Sequence, residues 1–78
     1  MKRSPVMVNA KEFGAKLREA RIKSGKKQSE VAKAVGLAPN SSSYYEKGRS
    51  IPSLDLAVQL SRYLNVSLEY LVGLKDEP

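Results

Sequence analysis

The sequence predicts an all-α domain, a compact bundle of five short helices, on three observations. Apolar residues recur at three- and four-residue spacing along most of the chain, and no convincing strand interrupts them. Serine and asparagine stand where helices should begin, and glycine where they should end. Finally, 78 residues, 41% of them hydrophobic, suffice for one modest core and not for two.

Residues 1–8, around Pro5, read as a loose N-terminal arm, ahead of a domain spanning 9–73. Asn9 is placed as an N-cap with Glu12 three residues on, a capping-box spacing, so a first helix begins near Ala10. Phe13, Leu17 and Ala20 form its apolar stripe among Lys and Arg, and Gly25 stops it after Ser24. A second helix fits Gln28 to Val35, where Val31, Ala32 and Val35 share a face and Gly36 supplies the left-handed residue that ends it. Ala38-Pro39 opens a third, with proline suited to the first helical turn, running to about Lys47 before Gly48. Ser41, Ser42 and Ser43 are mediocre helix formers, so packing must hold this helix. After the connector Ile51-Pro52, Ser53 caps a fourth helix whose stripe is Leu54, Ala57, Leu60, Tyr63 and Leu64, the largest apolar surface in the chain. Asn65-Val66-Ser67 makes a break, and Ser67 caps a last short helix carrying Leu68, Leu71 and Val72, ended by Gly73. Residues 74–78 are a polar tail expected to fray, either a true end or the edge of a longer protein.

Composition narrows the function. The chain holds 14 Lys and Arg against 8 Asp and Glu, a net charge of +6, which favours a polyanionic partner and nucleic acid first. Solubility alone would be the bland explanation, but the cations Lys11, Lys16, Arg18, Arg21, Lys23, Lys26, Lys27 and Lys33 gather in the first half. With no cysteine there are no disulfides and no thiolate metal sites, which suits a reducing, cytoplasmic compartment. No apolar run approaches the ~20 residues that span a membrane, and the N-terminus lacks a signal-peptide stretch. Without His or Cys the commonest general base, metal ligands and thiol nucleophile are missing, and no acid-base cluster or phosphate-binding glycine loop stands in for them. No enzyme activity, metal, cofactor or small-molecule pocket is expected.

Two short helices joined by a tight glycine turn outline a helix-turn-helix unit over residues 28–48. The run QSEVAKAVGLAPNSSSYYEKG, Gln28 to Gly48, resembles the phage repressor and Cro type of helix-turn-helix regulator: Gln at the start, Val-Ala in the first helix, Gly in the turn, Glu-x-Gly at the end. The resemblance extends to Phe13-Gly14 and Leu17 to Arg21 before the unit, and to Pro52-Ser53-Leu54 and Leu64 to Leu68 after it. It implies the lambda-repressor-like fold and a sequence-specific transcriptional regulator, most simply a repressor. It also implies that Ala32 is small because two helices cross closely there.

Rotation by 100° per residue puts Pro39, Asn40, Ser43 and Tyr44 on one face of the third helix, with Ser42 and Tyr45 opposite. In the family the matching four positions approach base edges or nearby phosphates. The Asn40 amide can pair with adenine N6 and N7, Ser43 can bond to any base, and Tyr44 offers a ring to a thymine methyl or a hydroxyl to phosphate. Pro39 can give only apolar contact, or merely start the helix. Tyr45 reads as a core aromatic, and Ser42 places a hydroxyl where the family usually has an aliphatic residue, so it needs a partner or packs poorly. Gln28 resembles the family glutamine that touches phosphate and braces the recognition helix. Lys26, Lys27, Ser41, Lys47 and Arg49 complete the expected phosphate contacts. Arg21 and Glu46 match a family pair that forms a partly buried ion pair. Leu68, Tyr70, Leu71, Val72 and Leu74 are expected to form a surface for a homodimer or a protein partner. The implied partner is double-stranded DNA, bound by a dimer at a pseudo-palindromic operator. The rival reading is an antitoxin or another protein-interaction module built on the same fold.

Overall fold

The computed structural model describes residues 8–78. Of the N-terminal arm only Val8 lies within them, packed against the core; residues 1–7 lie outside. The described residues form five helices in chain order: α1 Ala10–Lys23, α2 Gln28–Ala34, α3 Ser41–Glu46, α4 Leu54–Leu64 and α5 Leu68–Leu71.

Local chemistry sets most of these boundaries. The Asn9 side-chain oxygen Oδ1 accepts from the backbone N–H of Lys11 and Glu12 at 2.9 and 3.1 Å, starting α1. The Glu12 carboxylate lies by Gly73, where a Cβ would come within 2.6 Å of Oε1. Ser53 and Ser67 accept in the same way from Leu56 and Tyr70 and start α4 and α5. Where α2 has Lys27 in place of a hydroxyl cap, the Glu30 carboxylate reaches back to the Lys27 N–H at 2.8 Å, so half of a capping box remains. Asn65 closes α4 in the left-handed region, φ 57°, which asparagine tolerates.

Helices α1, α3 and α5 each end one residue short of the sequence expectation, at Lys23, Glu46 and Leu71, and two further differences flank the turn between α2 and α3. Helix α2 ends at Ala34, because Val35 already leaves helical geometry as the chain enters the turn at Gly36, φ 75°. Proline does not begin α3. Pro39 and Asn40 occupy a turn closed by the Ser41 N–H donating to the Ala38 carbonyl at 3.0 Å, and Asn40 becomes the N-cap, its carbonyl accepting from the Tyr44 N–H.

The core is one cluster: Phe13, Leu17 and Ala20 of α1, Val31 with Val35 from the second helix and its end, Ala57, Leu60 and Leu64 of α4, and Tyr70 and Leu71 of α5. Helix α1 packs on α3 and α5, α2 on α3 and α4, and α4 on α5. The expected α4 stripe is only partly buried. Leu54 in its first turn is 71% exposed and Tyr63 36%, while Ser61 turns inward with its hydroxyl donating to the Val58 carbonyl at 2.7 Å.

Tyr70 and Leu71, expected on a dimer or partner surface, are instead 1% and 0% exposed. The Tyr70 hydroxyl donates to the Glu19 carboxylate and the Lys16 ammonium lies 4.7 Å from its ring centre, so α5 is clamped to α1 by the side chain that was expected to face outward. Leu68 and Val72 are half-buried; of the five expected surface residues only Leu74 is exposed. The tail turns back on α5 where fraying was expected: the Ser67 N–H donates to the Pro78 carbonyl at 2.8 Å, and those of Leu74 and Lys75 to Glu69.

Candidate nucleic-acid interface

Helix α3 is six residues long and includes three serines, so its position depends on what it touches. Its inner side meets α1 at Gly14, where an added Cβ would fall 2.5 Å from the Tyr45 carbonyl oxygen and 2.7 Å from that of Glu46. Only a residue without a side chain lets the two backbones come this close.

The end of α3 is fixed by charge. Arg21 Nε donates to Glu46 Oε2 at 2.6 Å and its Nη2 to Oε1 at 3.1 Å, while Nη1 donates to the Lys26 carbonyl at 3.0 Å. Gln28 Nε2 donates to Glu46 Oε1 at 3.0 Å. The pair is largely shielded, with side-chain exposures of 14% for Arg21 and 3% for Glu46. One carboxylate thus ties α1, the start of α2 and the end of α3 together, and the ion pair and the brace from Gln28 are the same construction.

The outer side of α3 is open. Pro39, Asn40 and Tyr44 are exposed, Ser41 and Ser43 half-buried, and Ser42 and Tyr45 turn inward. Asn40, Ser43, Tyr44, Lys47 and Arg49 line one open cleft, bringing together three of the four expected base-contact residues and two expected phosphate contacts. Pro39 stays in the preceding turn. As N-cap, Asn40 makes no side-chain capping bond, which leaves its carboxamide uncommitted to the helix. Lys27 is exposed at the start of α2. Lys26 is less available, its ammonium lying over the Tyr63 ring at 5.3 Å.

Three contacts carry no sequence signal of their own. The approach of α1 at Gly14 depends on a helix crossing. Glu19 and Tyr70 stand 51 residues apart. Tyr44 and Tyr45, adjacent in sequence, touch edge to face with ring centres 5.6 Å apart and planes at 79°.

A short helix, a glycine turn, and a second short helix presenting a polar face flanked by cations make a helix-turn-helix unit. The helix-turn-helix family model matches residues 17–71, and the chain belongs to that family. The HTH-type transcriptional regulator ImmR of Bacillus subtilis is 42% identical over 65 residues, covering 83% of this chain and 50% of that protein. The cryptic phage CTXphi transcriptional repressor RstR of Vibrio cholerae is 33% identical over 61 residues, 78% of this chain and 55% of that one. The chain therefore spans about half the length of these two relatives. Among solved structures, the P22 c2 repressor in complex with a synthetic operator superposes with a TM-score of 0.76 at 27% identity, covering 81% of this chain and 96% of that one. No helix among the described residues is long and apolar enough to cross a membrane.

Proposed function

We propose that this protein is a sequence-specific DNA-binding transcriptional regulator, a repressor that occupies its operator as a homodimer in the cytoplasm. The cleft on the outer side of α3 carries the reading: Asn40, Ser43 and Tyr44 line it together with Lys47 and Arg49, so base-reading groups share one cleft with cations suited to phosphate. The likeness to RstR and to the operator-bound P22 c2 repressor supports it. Asn40, Ser43 and Tyr44 set sequence preference. Lys27, Gln28, Ser41, Lys47 and Arg49 hold the backbone, with Lys26 a weaker contributor and Pro39 confined to apolar contact. Arg21 and Glu46 serve the scaffold.

With Tyr70 and Leu71 inside, the dimer face follows the apolar side chains that remain outside. Ile51, just before α4, and Leu54 and Val58, one turn apart on it, are 45%, 71% and 36% exposed. A second copy docked there gives a two-fold complex whose recognition helices lie about one DNA turn, ~34 Å, apart.

Selection of bound duplexes from a random pool at ~0.15 M salt tests the function, since base readout survives salt that screens non-specific attraction. A two-fold symmetric motif is expected. Asn40→Ala should relax preference at one base pair by ~1–3 kcal/mol, and Lys27→Ala should weaken all sequences alike. No enrichment from folded protein would overturn this reading in favour of a protein-interaction module.

A further inference from the structure

Tyr44 and Tyr45 divide the two sides of α3 between them. Tyr44 is 49% exposed and lines the cleft, whereas Tyr45 packs against the core with its backbone carbonyl facing Gly14 of α1. An exposed side chain on so short a helix exchanges rotamers on the picosecond to nanosecond scale unless something holds it. Here the Tyr45 ring does, through an edge-to-face contact at 5.6 Å and 79°. Tyr44 is also the one aromatic among the residues lining the cleft, the others being Asn40, Ser43, Lys47 and Arg49. The polar lining residues suit base heteroatoms and phosphates. The group on a major-groove edge suited to an exposed ring is the C5 methyl of thymine.

We propose that Tyr45 is a positioning residue for base readout, its core-anchored ring holding Tyr44 in the cleft so that the Tyr44 ring reads a thymine methyl. This rests on the DNA-reading function above and names both the group read and the residue that aims the reader. Sequence preference at one base pair thereby depends on a side chain that faces away from DNA.

Replacing each thymine of the selected operator in turn by deoxyuridine deletes one methyl and nothing else. For the wild-type protein one thymine per half-site should show a loss of about fourfold, the worth of one buried methyl. Tyr44→Ala should abolish that loss at that position. Tyr45→Leu, which keeps an apolar side chain facing the core but removes the ring, should abolish it too, while Tyr45→Phe should retain it. Binding to unrelated duplex DNA should stay within about twofold for the two Tyr45 variants, because phosphate contacts are untouched. A folded Tyr45→Leu protein that keeps the full penalty overturns the positioning role. A penalty that survives Tyr44→Ala, or is absent from the wild type, overturns the methyl reading, and a pool without an enriched motif overturns the function beneath it. Should Tyr45→Leu fail to fold, the wild-type protein decides: ring-to-ring nuclear Overhauser contacts with upfield-shifted ring protons on one of the two tyrosines support the geometry, and the absence of those contacts with both rings at random-coil positions overturns it.

Discussion

Ser42 puts a hydroxyl inside the protein: it is 2% exposed and its Oγ has no hydrogen-bond partner among the described residues. A hydroxyl stripped of water without replacement costs about 1–3 kcal/mol, whereas a methyl at the same place costs nothing of the kind and suits a helix better. Ser42→Ala should therefore stabilise the protein by about 1 kcal/mol, a rise in melting temperature of roughly 4–8 °C for a domain of this size. Thermal unfolding followed by circular dichroism measures it, and a lower melting temperature would mean that the hydroxyl holds something. Glu46 shows the opposite situation. It is nearly as buried, yet both its oxygens are bonded, by Arg21 and Gln28. Burial is tolerable for the charged residue and costly for the neutral one because only the first is satisfied.

At the scale of elements, two clamps on α1 hold the fold beside the Arg21–Glu46 pair. One is the approach to α3 at Gly14. Alanine there would gain about 1 kcal/mol of helix propensity. Against that stands a Cβ at 2.5 and 2.7 Å from two backbone carbonyl oxygens, which cannot swing aside as a flexible side chain would. Overpacking of this kind costs about 1–3 kcal/mol, and more where backbone must move, so Gly14→Ala should melt lower despite its better propensity. An equal or higher melting temperature would show that the two helices can separate freely. The other clamp is Tyr70 on Glu19. Burial, and then the hydrogen bond and charge of Glu19, push the Tyr70 phenol up to about 12 from its ordinary 10.0. A pKa raised by folding means that the fold favours the neutral phenol. That contribution is complete below pH 10 and is lost as pH climbs through 12. Wild type should consequently lose melting temperature more steeply over that interval than Tyr70→Phe. The two proteins differ by the Tyr70 hydroxyl alone, so parallel curves would remove Tyr70 as the cause.

Across the whole molecule, the helix order was legible because caps and glycine stops are local signals: Asn9, Ser53 and Ser67 each cap as their position in the sequence suggests. What escaped the sequence was direction. Helix α5 has four residues, too few for a periodic stripe to say which side is covered, and Tyr70 and Leu71 proved to be core. In α4 the stripe was real but longer than the neighbours that bury it, leaving Leu54 outside. The outer face of α3 was legible, because on a short helix with Tyr45 inward Asn40, Ser43 and Tyr44 are left to point away. The misassigned surface bears directly on assembly. A two-fold operator complex needs a self-complementary face, and apolar side chains as exposed as Leu54 at 71%, with Val58 one turn on and Ile51 just before the helix, are better placed for it than residues inside the core. Leu54→Glu puts a charge on that face and, by symmetry, opposes it to its own copy across the axis. It should leave the monomer's melting temperature nearly unchanged, since the side chain is in solvent. It should also shift sedimentation towards the monomer and turn cooperative occupation of a two-fold operator into weak, independent half-site binding. An undiminished dimer in Leu54→Glu would exclude this shoulder of α4 and return the interface to Leu74 and its half-buried neighbours Leu68 and Val72.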